Sequence, residues 1–155
     1  MLIKKNVQTC LSNFIQREKP MADNNIPAQE YHSEYDVQIS RIHTVYYGCQ
    51  TSWSRPKIMP RYTNGLICFC VGSICYEFEC GSILAKPGDI LFFPKGMQYA
   101  GVSLSDTNSF FVIDFDTSNN ISYISRPIVF HPKGSELQRS FSQIAALWND
   151  HTLSS

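Results

Sequence analysis

The sequence predicts a mainly β domain, built from short antiparallel strands as a sandwich or barrel, with one helix at its C-terminal end. Short apolar runs recur along the middle of the chain, and turn-forming Gly, Pro, Asp and Ser residues separate them. The segment SICYEFEC alternates between apolar and polar residues, which is typical of a strand with one buried face. After Pro132 the apolar residues change to helical spacing.

The N-terminal segment, residues 1–34, is predicted to be an arm followed by a linker. Residues 2–17 have the pattern of a short amphipathic helix, whereas EKPMADNNIPAQE is polar and contains proline. Two interpretations are open. Either Met21 is the native start and residues 1–20 do not belong to the protein, or the arm folds onto the domain.

The predicted barrel spans residues 35–132. VQISRIHTVYYG is rich in β-branched and aromatic residues, and GLICFCVG is almost continuously apolar, as expected for a strand buried on both faces. DILFFP follows the KPG turn, and QYAGVSLS and FFVIDFD are the next strands. Short strands at this regular spacing favour a sandwich or barrel over a parallel sheet.

The C-terminal segment, residues 133–155, contains the predicted helix, for which Ser135 is a suitable N-cap. Its main apolar residues are Leu137, Phe141, Ile144 and Trp148. Two interpretations of this apolar stripe are open. It packs against its own domain, or it is a dimerisation helix that would make the protein a homodimer.

Composition and charge exclude two classes of function. Thirteen Lys and Arg balance thirteen Asp and Glu, and the isoelectric point is about 6.9. A chain without bulk positive charge is a poor candidate for binding DNA by itself. No run of eighteen apolar residues occurs, so we predict no membrane-spanning helix.

The cysteines indicate the compartment. They form no Cys-x-x-Cys pair, and the N-terminus lacks the continuous apolar core of a secretory signal. We therefore expect a cytoplasmic protein whose thiols are reduced and pack as small hydrophobic groups. The six cysteines are Cys10, Cys49, Cys68, Cys70, Cys75 and Cys80.

The order of motifs over residues 35–150 resembles the N-terminal sensing domain of AraC-type transcription regulators, a small cupin barrel. The resemblance rests on RYTNGLICFCVGSICYEFECGSILAKPGDILFFPKGMQYAG, on SFFVIDFD and on the helical tail. It implies a barrel that binds a small-molecule effector, often a sugar or a related metabolite. It also implies that DNA binding belongs to a second domain with paired helix-turn-helix motifs, which this chain ends too early to contain.

The sequence departs from the metal-binding cupins in two ways: it has no His-x-His pair with a downstream Glu, and it changes the end of the second motif. That motif ends in a histidine, and the corresponding positions here run from Gly88 through Pro94 and Gly96 to Tyr99. A metal site needs three or four converging ligands, whereas the histidines are scattered along the chain. We therefore predict no metal, no cofactor and no enzymatic activity. The four histidines are His32, His43, His131 and His151.

The resemblance also implies a ligand pocket inside the barrel. The predicted lining residues are Tyr76, Tyr99, Phe110, Val112, Asp114, Arg61 and Trp53. Tyr99 can stack on a sugar face and hydrogen-bond a ring substituent. An inward-facing Asp114 needs a ligand hydroxyl or an arginine as its partner. Arg61 closes the mouth or holds an anionic group, and Trp53 lies over the mouth as a lid. In the simpler alternative, Phe110 and Val112 are plain core and Arg61 is a solvated charge.

These observations predict the effector-binding and dimerisation domain of an AraC-type regulator, with a sugar-like effector and a DNA-binding domain elsewhere. The first alternative is a stand-alone cupin enzyme, such as a sugar isomerase or a dioxygenase, which would bind stoichiometric metal. The second alternative is a barrel that serves only dimerisation. It expects an interior filled by side chains.

Overall fold

The computed structural model describes residues 2–17, 37–52, 54–55, 59–122 and 124–153. The described residues form helix α1 (Leu2–Arg17), nine strands and helix α2 (Glu136–Leu153). The strands are β1 (Ile39–Gln50), β2 (Ser54–Arg55), β3 (Asn64–Val71), β4 (Ile74–Phe78), β5 (Gly81–Ala85), β6 (Ile90–Phe93), β7 (Ala100–Ser103), β8 (Asn108–Thr117) and β9 (Ile128–Phe130).

The strands form two antiparallel sheets. The larger sheet has the order β1-β8-β3-β6-β9, and the smaller sheet has the order β2-β7-β4-β5. The chain passes repeatedly from one sheet to the other, so the sheets enclose a common interior as a barrel. The predicted mainly β fold with a C-terminal helix is confirmed.

Aromatic side chains fill much of the barrel interior. The ring centroids of Tyr76, Phe78, Phe93 and Tyr99 lie 4.9–6.4 Å from their neighbours, within the usual range for packed aromatic pairs. All four side chains are buried. The interior is therefore an apolar core through most of its depth.

A second core lies between the outer face of the larger sheet and the helices. Phe141 and Ile144 of α2 are 1% and 2% exposed in this core, and Leu137 and Trp148 pack against it while partly buried. The apolar stripe of α2 thus packs against its own domain, as the first of the two interpretations expects. Dimerisation through this helix stays a prediction.

Helix α1 packs against the same core. Val7 is fully buried there. The side chain of Gln8 donates a 2.6 Å hydrogen bond to the carbonyl of Val37 and accepts a 2.9 Å bond from the backbone N–H of Ile39. This geometry agrees with an arm that folds onto the domain. Met21 and the predicted barrel boundary at residue 35 lie outside the described residues.

The turn before β6 has the structural role that its sequence predicts. Gly88 has a φ of +91°, a conformation that glycine adopts without steric cost. The buried carboxylate of Asp89 accepts a 2.9 Å hydrogen bond from the backbone N–H of Lys86 and lies 2.6 Å from Nδ1 of His131. These contacts close the turn and tie it to the end of β9.

Replacing Phe141 by alanine should lower the free energy of unfolding by about 3–5 kcal/mol, because the change leaves a cavity in the helix–sheet core. Urea denaturation measures this loss. Gln143→Ala, on an exposed position of the same helix, is the control and should change stability by less than about 0.5 kcal/mol. A cost near zero for Phe141→Ala would contradict the packing of α2 on its own domain.

Candidate functional site

A cluster of polar side chains lies against the aromatic core at one end of the barrel interior. Two arginines meet at one phenol: Arg55 Nη1 and Arg61 Nη1 donate hydrogen bonds of 3.0 Å and 3.1 Å to the hydroxyl oxygen of Tyr99. Asp114 accepts a hydrogen bond from Nη2 of Arg61 and forms an ion pair with it. The cluster thus joins β2, β8 and the segments before β3 and β7.

Arg61 is fixed at both its backbone and its side chain. Its backbone N–H donates to the carbonyl of Met97 (2.9 Å), and its carbonyl accepts from the N–H of Gly96 (2.7 Å). Its Nε donates to the carbonyl of Thr63 (3.2 Å), and its side chain is only 10% exposed. Since the ion pair with Asp114 is also largely buried, the charge of Arg61 is neutralised in place.

Gly65 provides the space for this guanidinium group. It pairs with Asp114 on one neighbouring strand and with Phe93 on the other. A β-carbon at Gly65 would lie 2.7 Å from Nε of Arg61 and closer still to two other guanidinium atoms. Any larger residue at this position would therefore displace Arg61.

Arg55 enters the barrel from the edge of the smaller sheet. In the register of that sheet Arg55 is opposite Gly101, which is opposite Tyr76, so the three residues share the inward face. The guanidinium carbon of Arg55 lies 4.3 Å from the ring centroid of Tyr99, and Nη2 donates a 3.0 Å bond to the carbonyl of Met59.

Two further tyrosines belong to the electrostatic environment of the cluster. Burial raises the pKa of Tyr46, and the negative charge of Asp114 raises it further. Burial also raises the pKa of Tyr76, with a smaller contribution from Tyr99. Both phenols are therefore neutral at physiological pH, and they contribute no negative charge to balance the arginines.

The structure brings four of the predicted site residues together: Arg61, Tyr76, Tyr99 and Asp114. Phe110 and Val112 lie deeper, within the apolar core, as their simpler interpretation expects. Trp53 lies outside the described residues. The assignment of all seven predicted site residues to ligand binding stays a prediction.

Sequence reasoning missed Arg55, Tyr46 and Gly65. Arg55 stands two residues after Trp53 in a strand of only two residues, too short for a periodic pattern. Tyr46 is opposite Val112 in the pairing of β1 with β8. Because Val112 was predicted to face inward, knowledge of this pairing would have placed Tyr46 on the same face. Gly65 had a usable signal, because glycine inside an apolar strand often marks a close approach.

A groove of about 420 Å³ opens beside the cluster on the outer surface. It is lined by Phe78, Glu79, Cys80, Gly96, Met97, Gln98, Ser125 and Arg126. Phe78 is shared between the groove and the aromatic core, where its ring centroid is 5.8 Å from that of Tyr99. The lining of the groove includes none of the four cluster side chains and meets the cluster only through Phe78 and through Gly96 and Met97, which bond to the backbone of Arg61.

The described histidines lie apart from one another. His43 Nε2 is 2.7 Å from Oδ2 of Asp116, His131 contacts Asp89, and His151 lies in the last turn of α2. Among the described residues, no group of three His, Cys, Asp or Glu side chains is arranged to hold a metal ion. Neither described helix has the length and apolar composition needed to cross a bilayer. His32 lies outside the described residues.

The fold and this cluster define a barrel of two antiparallel sheets with a charged group of side chains inside it. No protein-family model and no curated protein matches the chain. Among solved structures, the chain is similar to ToxT from Vibrio cholerae bound to (E)-4-(8-methylnaphthalen-1-yl)but-3-enoic acid. That similarity has a TM-score of 0.50 and 10% identity, and it covers 68% of this chain and 48% of the ToxT chain.

Two other structures give weaker similarities. Unsaturated fatty acid-bound ToxT from Vibrio cholerae gives a TM-score of 0.49 and 9% identity over 70% of this chain and 47% of that one. A variant of oxalate decarboxylase from Bacillus subtilis gives a TM-score of 0.35 and 20% identity, covering 45% of this chain and 19% of that one.

ToxT is an AraC-family regulator. The predicted resemblance to the cupin-like barrel of such regulators is therefore confirmed for the fold, which is what a similarity at 10% identity shows. The chain spans about half the length of ToxT.

Substituting Gly65 by alanine should lower the free energy of unfolding by about 1–3 kcal/mol, because the added methyl group displaces the Arg61 guanidinium. A double-mutant cycle with Arg61→Ala measures the cause directly. In the Arg61→Ala background the added methyl group meets no guanidinium, and the cost of Gly65→Ala should almost disappear. Additive costs in chemical denaturation would contradict this account.

Asp116 should make stability depend on pH. The hydrogen bond from His43 lowers the pKa of this carboxyl below its ordinary value of 3.8, and the charges of His43 and Lys95 add to the effect. Its stabilising contribution is therefore complete above pH 3.8 and is lost as pH falls through the lowered pKa. The difference in melting temperature between wild type and Asp116→Asn should shrink on acidification. Asp106→Asn, at an exposed position, is the matched control, and an unchanged difference at pH 3 would contradict the prediction.

Proposed function

We propose that this chain is the effector-binding and dimerisation domain of an AraC-type transcription regulator that acts in the cytoplasm and binds DNA through a separate domain. The observation that carries the proposal is the cluster of Arg55, Arg61, Tyr99 and Asp114 inside the barrel. Polar groups placed at one end of an apolar interior are typical of sites that orient a small molecule.

The parts of the site suit a sugar-like effector. Tyr99 contributes its hydroxyl group, because its ring is 2% exposed and is covered by Phe93 and Arg55. Asp114, whose side chain is 23% exposed, can accept hydrogen bonds from hydroxyl groups, and the two arginines can donate them. ToxT, whose fold this chain shares over part of its length, was solved bound to a small organic acid, which supports a small molecule as the effector.

The contacts of Arg61 suggest how binding would be transmitted. Its backbone bonds to Gly96 and Met97 tie the cluster to the loop before β7. A ligand that moves Arg61 therefore acts on this loop as well as on β8. To regulate, it must bind one arrangement of the domain more tightly than another.

One observation favours a second candidate, the barrel that serves only dimerisation. The packed rings of Tyr76, Phe78, Phe93 and Tyr99 leave an interior largely filled by side chains, as that candidate expects. The two candidates differ in their response to small molecules. We further propose that the domain binds its effector without catalysing a reaction on it.

A thermal-shift screen over neutral sugars, uronic acids and related metabolites, each with and without a chelator, should reveal one class that raises the melting temperature. Tyr99→Phe should remove that shift and lower the free energy of unfolding by about 1–3 kcal/mol, because both guanidinium groups lose their shared acceptor. Tyr62→Phe is the control, since Tyr62 is 70% exposed.

The other outcomes separate the candidates. A flat response across the panel would support the barrel that serves only dimerisation. A shift that disappears with the chelator, together with stoichiometric metal in the purified protein, would support a metal-dependent enzyme and overturn the proposal.

A further inference from the structure

We propose that the effector carries one carboxylate group and that Arg55 is the residue that binds it. This inference rests on the proposed function, since it assigns a chemical class to the effector of the same site. It starts from a difference between the two arginines. Arg61 is ion-paired with Asp114, whereas no carboxylate among the described residues is paired with Arg55.

The neighbouring charges do not compensate Arg55. Asp116 follows Asp114 on the same face of β8, but its carboxylate is engaged by His43 at 2.7 Å and by Lys95 at 3.7 Å. The described part of the site therefore has one positive charge in excess. Half buried beside aromatic rings, this charge attracts an anion more strongly than it would in bulk water.

The donors around Arg55 match the acceptors of a carboxylate. Its described contacts are the hydroxyl oxygen of Tyr99 and the carbonyl of Met59, which use two of the five N–H donors of a guanidinium group. The oxygen of Tyr99 accepts bonds from both arginines, so its own O–H hydrogen is left to donate elsewhere. The two oxygens of a carboxylate can accept from the guanidinium and the phenol together.

The charge balance favours a carboxylate over a phosphate ester. One uncompensated guanidinium balances one negative charge, whereas a phosphate monoester carries about 1.5 to 2 at neutral pH. The excess negative charge would have no partner at the edge of the aromatic core, and a buried unpaired charge is costly. The site therefore suits a monocarboxylate whose remaining body is apolar or sugar-like.

Two matched pairs of probes test the inference: benzoate with benzamide, and galacturonate with galactose. Binding is measured by ligand-detected NMR and by thermal shift at constant ionic strength. In at least one pair, the acid should bind at least about tenfold more tightly than the neutral partner, as expected for a hydrogen-bonded charge pair. Phenyl phosphate should bind more weakly than benzoate.

Three variants locate the effect. Arg55→Gln should abolish the preference for the acid. Arg55→Lys should retain part of it, because lysine keeps the positive charge but cannot donate two parallel hydrogen bonds to a carboxylate. Arg139→Gln, at an exposed position of α2, should leave it unchanged. Each shift is taken relative to the melting temperature of the same variant, and circular dichroism confirms that each variant is folded.

The inference would be overturned by equal binding within both pairs, by a preference that survives Arg55→Gln, or by tighter binding of phenyl phosphate. Other outcomes distinguish failure of this inference from failure of the proposed function. If galactose produces a shift that depends on Tyr99 and galacturonate does not exceed it, the barrel is a receptor but the carboxylate class is wrong. If no probe binds, the carboxylate site at Arg55 is wrong, and the broader metabolite screen decides whether the barrel binds another class.

Discussion

The placement of one buried guanidinium group, that of Arg61, constrains the whole mouth of the barrel. A charge next to an aromatic core is tolerated only when it is paired and its N–H groups find acceptors. Asp114, Tyr99 and the carbonyl of Thr63 supply those acceptors, and Gly65 supplies the space. The side chain of Arg61 thus constrains the residue type at several positions that are distant in sequence.

The larger sheet links this constraint to the helices. Along β8, Val112 and Asp114 face the barrel interior, whereas Ile113 and Phe115 face the core that contains α2. Since the side chains of a strand alternate, a register shift of one residue would place a carboxylate in the helix core and an isoleucine in the polar cluster. The pairing of β8 with β1 and β3 is therefore specified from both faces. If a bound molecule moved β8, the side chains of Ile113 and Phe115 would move with it and change the packing against α2.

The sequence was sufficient to predict six of the nine described strands, the turn before β6 and the C-terminal helix, because each has a local pattern. It did not identify β2, β5 or β9. It also singled out Asp114, since an inward carboxylate needs an arginine or a ligand as its partner, whereas Tyr99 was chosen from the resemblance and Arg61 from its place before a strand. Arg55 could not be found in this way. Its strand has two residues, and its inward direction follows only from its pairing with Gly101. The choice between helix packing and dimerisation was equally open, because an apolar stripe does not specify which surface covers it.

The correspondence of Tyr99 with the histidine of the metal-binding cupin motif stays a prediction, whereas the surroundings of this tyrosine are given by the structure. The hydroxyl of Tyr99 accepts hydrogen bonds from two guanidinium groups, so positive charge surrounds the point at which a histidine would hold a cation. A divalent ion placed there would be repelled by Arg55, whose charge is not balanced by a described carboxylate, and Asp114 is already engaged with Arg61. The same arrangement that disfavours a cation favours an anion. The uncompensated positive charge of Arg55 is therefore the feature of this cluster that can orient a negatively charged group.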